Sequence, residues 1–190
     1  MDNQTKVFIA GSRHLPRLNR DVKRRISNIV DRGFTIVVGD ANGADKAVQQ
    51  YLNERGYRSV IVFCTEGNCR NNAGNWPTRA VPVSNPRRKD FEYYRAKDQA
   101  MVEEADFGLM LWDGQSRGTL TNIVGLVRRR RPLVVYVAPL KSFYTLRQAK
   151  DLIEMLSRCN PSSLHQIDSR LESITRENEP NRNAEMIPLF

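Results

Sequence analysis

Short, uniformly apolar runs alternate with amphipathic segments along most of the chain. The runs are Lys6–Ala10 (KVFIA), Phe34–Val38 (FTIVV), Ser59–Cys64 (SVIVFC), Asp106–Trp112 (DFGLMLW) and Leu133–Val137. Runs this short, without polar alternation, read as strands buried on both faces. That is the condition of a parallel sheet covered by helices. Between them, Leu18, Val22, Ile26, Ile29 and Val30 share one helical face, and Ala44, Ala47, Val48, Tyr51 and Leu52 share another. A helix opening at Pro86 carries Phe91, Tyr94, Met101, Val102 and Ala105. Ile123, Leu126 and Val127 mark the next, and Leu146, Ala149, Ile153 and Leu156 a closing one. Residues 66–82 are rich in Asn, Gly and Pro, lack periodicity and read as a loop.

This order implies an α/β fold: a Rossmann-like, doubly wound, mostly parallel sheet of about five strands with helices on both faces. No apolar segment approaches the roughly 20 residues of a membrane helix. The N-terminal MDNQTKVFIAGSR lacks a basic region followed by a long apolar one, so a cytoplasmic protein is expected. After Asn160-Pro161 the composition turns polar. Residues 1–159 therefore read as the folded domain and residues 160–190 as a polar arm or tail.

Open parallel sheets bind ligands at the carboxyl ends of their strands. Three such ends here are rich in Gly and small polar residues: Gly11-Ser12-Arg13, Gly39-Asp40-Ala41-Asn42-Gly43-Ala44-Asp45, and Asp113-Gly114-Gln115-Ser116-Arg117-Gly118-Thr119. Each leads toward a helix start, where unpaired N–H groups and the helix dipole favour an anion. Ser and Thr add hydroxyl donors. Arg13 and Arg117 offer bidentate contacts to phosphate or carboxylate. Asp45 reads either as a partner for ribose hydroxyls or as an acid that suits the helix dipole. Asp113 reads either as a site residue or as a brace of its turn.

Lys and Arg number 30 against 21 Asp and Glu, a formal net charge of +9. The excess lies within the first 140 residues and favours anionic partners. The run Arg128–Arg131 reads first as cations at a helix end, where they suit the dipole. The three cysteines include no CxxC pair, so no metal site is expected and reduced, structural thiols are. No cofactor is indicated. The dinucleotide fingerprint GxGxxG and the Walker pattern GxxxxGK[ST] are absent, which weighs against ordinary NAD dehydrogenases and P-loop ATPases.

The stretches VFIAGSR, VVGDANGADKAV and YRAKDQAMVEEADFGLMLWDGQSRGTLTNI resemble the SLOG superfamily, the Rossmann-like domains named for the DNA-processing Smf proteins and the LONELY GUY enzymes. The nearest likeness is to its YspA-like and YpsA-like branches, and it spans residues 6–138. The resemblance implies binding of nucleotides or nucleotide-derived ligands, often in oligomers. It maps onto Gly11, Ser12 and Arg13, onto Gly39, Gly43, Ala44 and Asp45, and onto Ser116, Arg117, Gly118 and Thr119, with Arg95 from the preceding helix. In the phosphoribohydrolase branch a Glu follows the Gly-Thr turn. Asn122 stands at that position here, and an amide serves neither as nucleophile nor as general base.

Three functions follow as expectations. The first is binding or sensing of a nucleotide or nucleotide sugar by a homo-oligomer, without a membrane partner. The second is cleavage or transfer at an N-glycosidic bond, with Asp45 or Asp113 as the candidate catalytic carboxylate. The third is single-stranded DNA binding.

Overall fold

The computed structural model describes residues 4–83 and 91–159. The polar arm expected over 160–190 and the helix start expected at Pro86 lie outside them.

The apolar runs form strands. β1 (Lys6–Gly11), β2 (Thr35–Gly39), β3 (Val60–Thr65), β5 (Phe107–Trp112) and β6 (Leu133–Val137) make up the parallel interior of one sheet. Two edge strands complete it, β4 (Thr78–Val81) and β7 (Ser142–Leu146), in the order β4-β3-β2-β1-β5-β6-β7. Only β7 runs antiparallel, against β6. The helices are α1 (Arg20–Asp31), α2 (Ala44–Glu54), α3 (Phe91–Glu104), α4 (Arg117–Arg128) and α5 (Ala149–Cys159).

Side chains alternate between the faces of a strand, and here both faces are covered. Val7, Ile9, Ile36 and Val38 pack with Val22, Ile26 and Ile29 of α1 and Val48 and Leu52 of α2. Phe8, Val37, Phe63 and Met110 pack on the other side with Met101 of α3, Ile123 and Leu126 of α4, and Leu152 and Met155 of α5. Among the described residues no helix is long and apolar enough to cross a membrane.

The sheet has seven strands where about five were expected. Both additions are edge strands. β4 lies inside the stretch read as loop, and its residues are exposed or half-buried. It is a strand because its backbone continues the β3 ladder, from Val62↔Thr78 to Thr65↔Val81. β7 follows a 3-10 turn at Ala138–Leu140 and is half-buried along most of its length.

The cysteines also differ from expectation. Cys64 and Cys69 are joined in a disulfide, with Cα atoms 5.0 Å apart. Beyond the end of β3, Glu66 and Gly67 take positive φ values of 55° and 75°. The chain doubles back there and returns Cys69 to Cys64. Cys159 is a free thiol.

Candidate functional site

β1 lies at the centre of the sheet, with β2, β3 and β4 to one side and β5, β6 and β7 to the other. The chain therefore reverses its direction of winding between β1 and β5. Such a switch point leaves a crevice at the carboxyl ends of the two strands. A cleft of about 450 Å³ opens there.

Three turns are tied together around Ser12. Its hydroxyl donates to Oδ2 of Asp113 at 2.6 Å. Its carbonyl accepts from the Ala44 N–H at 3.1 Å, and its own N–H donates to the Leu111 carbonyl at 2.9 Å. Gly43 completes the junction. Its φ is 82°, and a Cβ there would collide with the Arg13 backbone. Only glycine meets both demands at little cost.

Asp113 braces the third turn. Besides Ser12, it accepts from the N–H groups of Gln115 (3.0 Å) and Ser116 (2.7 Å), and it lies 3.1 Å from Nδ1 of His14. Burial raises its pKa. The hydrogen bonds from Ser12, Ser116, Gln115 and His14 outweigh that and leave it below the ordinary carboxylate value. With both oxygens engaged, Asp113 is built as a latch.

Of the residues singled out in the sequence, Gly11, Ser12, Arg13, Asp45, Arg95, Ser116, Gly118 and Thr119 line the cleft. Gly39, Asp40, Asn42, Gly43, Ala44, Asp113, Gly114 and Arg117 stand behind or beside its wall. Arg117 is the exposed first residue of α4. The Asn42 amide oxygen accepts from Asn71 at 3.1 Å. Gly114 shapes its turn with φ 82°. The Arg128–Arg131 run sits at the opposite end of α4, where Arg129 pairs with Glu103 and Arg131 with Asp106.

The mouth of the cleft includes the first turn of α4. Ser116 caps it, accepting from the Thr119 N–H at 3.4 Å. Gly118 follows, and a Cβ there would meet nothing within 4 Å. Packing imposes no glycine at this position, although glycine costs about 0.5–1 kcal/mol in a helix relative to alanine.

The floor is a buried charge cluster. Lys97 is 3% exposed, and its Nζ lies 2.7 Å from Oδ1 of Asp98 and 3.8 Å from Oδ1 of Asp40. Burial lowers the Lys97 pKa, but Asp98, Asp45 and Asp40 together overcome it and hold the ammonium charged, with a raised pKa. Asp45 is 5% exposed. Its Oδ2 accepts from the Ala41 N–H at 3.2 Å, and its Oδ1 has no hydrogen-bond partner. Burial pushes its pKa up to about 6, against the pull of Lys97 and with a further push from Asp98. Asp40 goes the other way. Burial raises its pKa, but hydrogen bonds from the Arg70 backbone and side chain, aided by Lys97, bring it below the ordinary value. Gly39 gives this cluster its room, since a Cβ would lie 2.5 Å from Asp45 Oδ2 and 2.8 Å from Lys97 Nζ.

Tyr94, Lys97, Asp98, Thr121 and His14 also line the cleft, and sequence reasoning missed them as site residues. One signal was available. Tyr94, Lys97, Asp98 and Met101 follow the i, i+3, i+4, i+7 rhythm of a core-facing stripe, so a Lys-Asp pair within it was a charge aimed inward. Asn122, where the resemblance led one to expect Glu, is buried at the cleft and directs its amide toward Asp98 Oδ2 at 3.5 Å. The carboxylate beside this position thus comes from α3. Among the described residues, no group of His, Cys, Asp and Glu is placed to hold a metal ion.

Fold and cleft together define an α/β domain with a ligand-sized crevice at the switch point of its sheet. No protein-family model matches the chain, and no curated relative matches it in sequence. The structure is similar to that of DNA processing protein A from Helicobacter pylori, a protein described for its single-stranded DNA binding mode. The TM-score is 0.56 at 16% identity, over 94% of this chain and 83% of that one. At that identity the likeness is one of fold.

Proposed function

We propose that the cleft binds a nucleotide or a nucleotide-derived, phosphorylated sugar. The observation that carries this reading is the first turn of α4. Its amide end opens into the cleft beside Gly118, where a side chain would have space and none is present. A helix N-terminus stripped of side-chain bulk suits an anion. Ser116 adds a hydroxyl donor, and Arg13 and Arg95 add positive charge at the rim. Deeper in, the Asp45 and Asp98 carboxylates accept hydrogen bonds, as sugar hydroxyls require. One end of the cleft thus suits phosphate and the other ribose.

Calorimetric titration with nucleoside 5′-monophosphates tests this. Saturable one-to-one binding to at least one of them is expected, and absence of heat with all of them would overturn it. The same titrations, followed by chromatography for free base, test N-glycosidic turnover. Asp45 is the remaining candidate for that chemistry, since Asp113 is engaged in its turn.

A second reading is single-stranded DNA binding at the same edge. The fold neighbour's DNA-binding mode favours it, as does the net charge of +9. Its signature is an affinity for oligothymidylate that falls with salt, with a log–log slope of about −0.7 per phosphate contacted. An affinity indifferent to salt removes it.

A further inference from the structure

A second cleft, of about 380 Å³, opens beside the first at the carboxyl ends of β2 and β3. Asp40, Thr65, Glu66, Asn68, Arg70 and Tyr94 line it, and Tyr94 belongs to both clefts. Two guanidinium groups stand over that shared ring: Arg13, 5.2 Å from its centroid, and Arg70, 4.7 Å. Beneath the wall, Lys97 on the first side approaches Asp40 on the second at 3.8 Å.

We propose that the second cleft holds a second nucleoside unit, joined through phosphate to the unit in the first cleft. This rests on the reading of the first cleft given above. The chemistry of the lining separates the two. Asp40 is committed to Arg70, which donates to it from its backbone N–H, Nε and Nη2 at 3.0, 3.1 and 2.7 Å. Glu66 is exposed and accepts from the Val83 N–H through Oε1. A free phosphate would meet this carboxylate unfavourably. A nucleobase amino group or a ribose hydroxyl would donate to it. The Asn68 amide presents donors and an acceptor together, the combination that matches the edge of a base. Arg70 is already paired with Asp40, and Arg13 brings a second guanidinium over the same ring, whose charge suits an anion there. The bridging phosphate therefore belongs at the Arg13–Tyr94–Arg70 wall, with a nucleoside on each side.

The test compares the four ribonucleoside 5′-monophosphates with two probes of two units each. NAD joins its nucleosides by pyrophosphate, and 5′-phosphorylated dithymidylate joins them by a phosphodiester. The full chain is used as wild type, Asn68→Ala and Gly118→Ala. At least one two-unit probe is expected to bind about tenfold or more tightly than the best monophosphate. Asn68→Ala should erase that margin and leave monophosphate affinity unchanged, while Gly118→Ala weakens every probe. Which two-unit probe gains identifies the linkage. The proposal is overturned if neither exceeds the monophosphates, or if the margin survives Asn68→Ala. If no probe binds at all, the reading of the first cleft falls, and this one with it. Asn68 is exposed, and matching thermal melts of wild type and variant verify that the comparison is between folded proteins.

Discussion

The Ser12 hydroxyl donates a 2.6 Å hydrogen bond to Asp113, joining residues 101 positions apart in sequence. That bond fixes the turn after β1 against the turn after β5. Through the Ser12 carbonyl and Ala44 it also holds the start of α2. A cleft assembled from three separate turns depends on such a junction.

Asp113→Ala removes the acceptor for Ser12 and for the N–H groups of Gln115 and Ser116. Hydrogen bonds to a charged acceptor contribute about 1.5–3 kcal/mol, and a loss of stability of that order is expected in urea unfolding. Nucleotide affinity should fall as well, because the Ser116 cap moves with its turn. A variant as stable as wild type would remove Asp113 from its role as latch.

Gly118→Ala separates the needs of the helix from those of the ligand. With open space around the added Cβ, the substitution should raise stability by roughly 0.5–1 kcal/mol through helix propensity. The methyl group stands where the phosphate is placed, so monophosphate affinity should drop by about tenfold or more. Thermal melts and titrations read the two effects independently. Unchanged affinity would move the phosphate elsewhere.

Asp45 sets a pH dependence of unusual sign. Its folded pKa of about 6 lies above the ordinary aspartate value of 3.8. Between those values the folded state binds more protons than the unfolded one, so stability falls as pH rises, and above the folded pKa the loss is complete. A shift of that size corresponds to about 3 kcal/mol. Asp40 and Asp113, with depressed values, act in the opposite sense and lose their contribution only as pH falls below the ordinary carboxylate range. Asp45→Asn should therefore flatten the decline between about pH 4 and 6. Urea midpoints across that range check it, and a variant whose slope matches wild type would contradict the assignment.

How far these features can be read from sequence depends on burial. β1, β2, β3, β5 and β6 are buried on both faces, so their residues are apolar without alternation and announce themselves. β4, whose sequence is TRAV, and β7, whose sequence is SFYTL, lie at the edges, where backbone pairing makes the strand and side chains need not be apolar. The Gly and Ser turns were visible because backbone geometry restricts which residues can stand there. Gly43 beside the Arg13 backbone is the clearest case. The Lys97–Asp98 pair was hidden within a stripe that also serves the core through Met101. Its purpose appears only when Asp40 and Asp45, from a different strand end, are brought to it. The Cys64–Cys69 bond was hidden for a related reason, since it depends on the reversal at Glu66 and Gly67.

The central claim is that an anionic ligand lies against the first turn of α4 and the turn after β1. Backbone amide NMR shifts, followed while a nucleoside monophosphate is titrated, test it most directly. Saturable shifts concentrated at Ser12, Arg13, Gly118 and Thr119, with α5 and the α1 face unmoved, are the predicted result. Shifts confined to other surfaces, or none at saturating ligand, would contradict it.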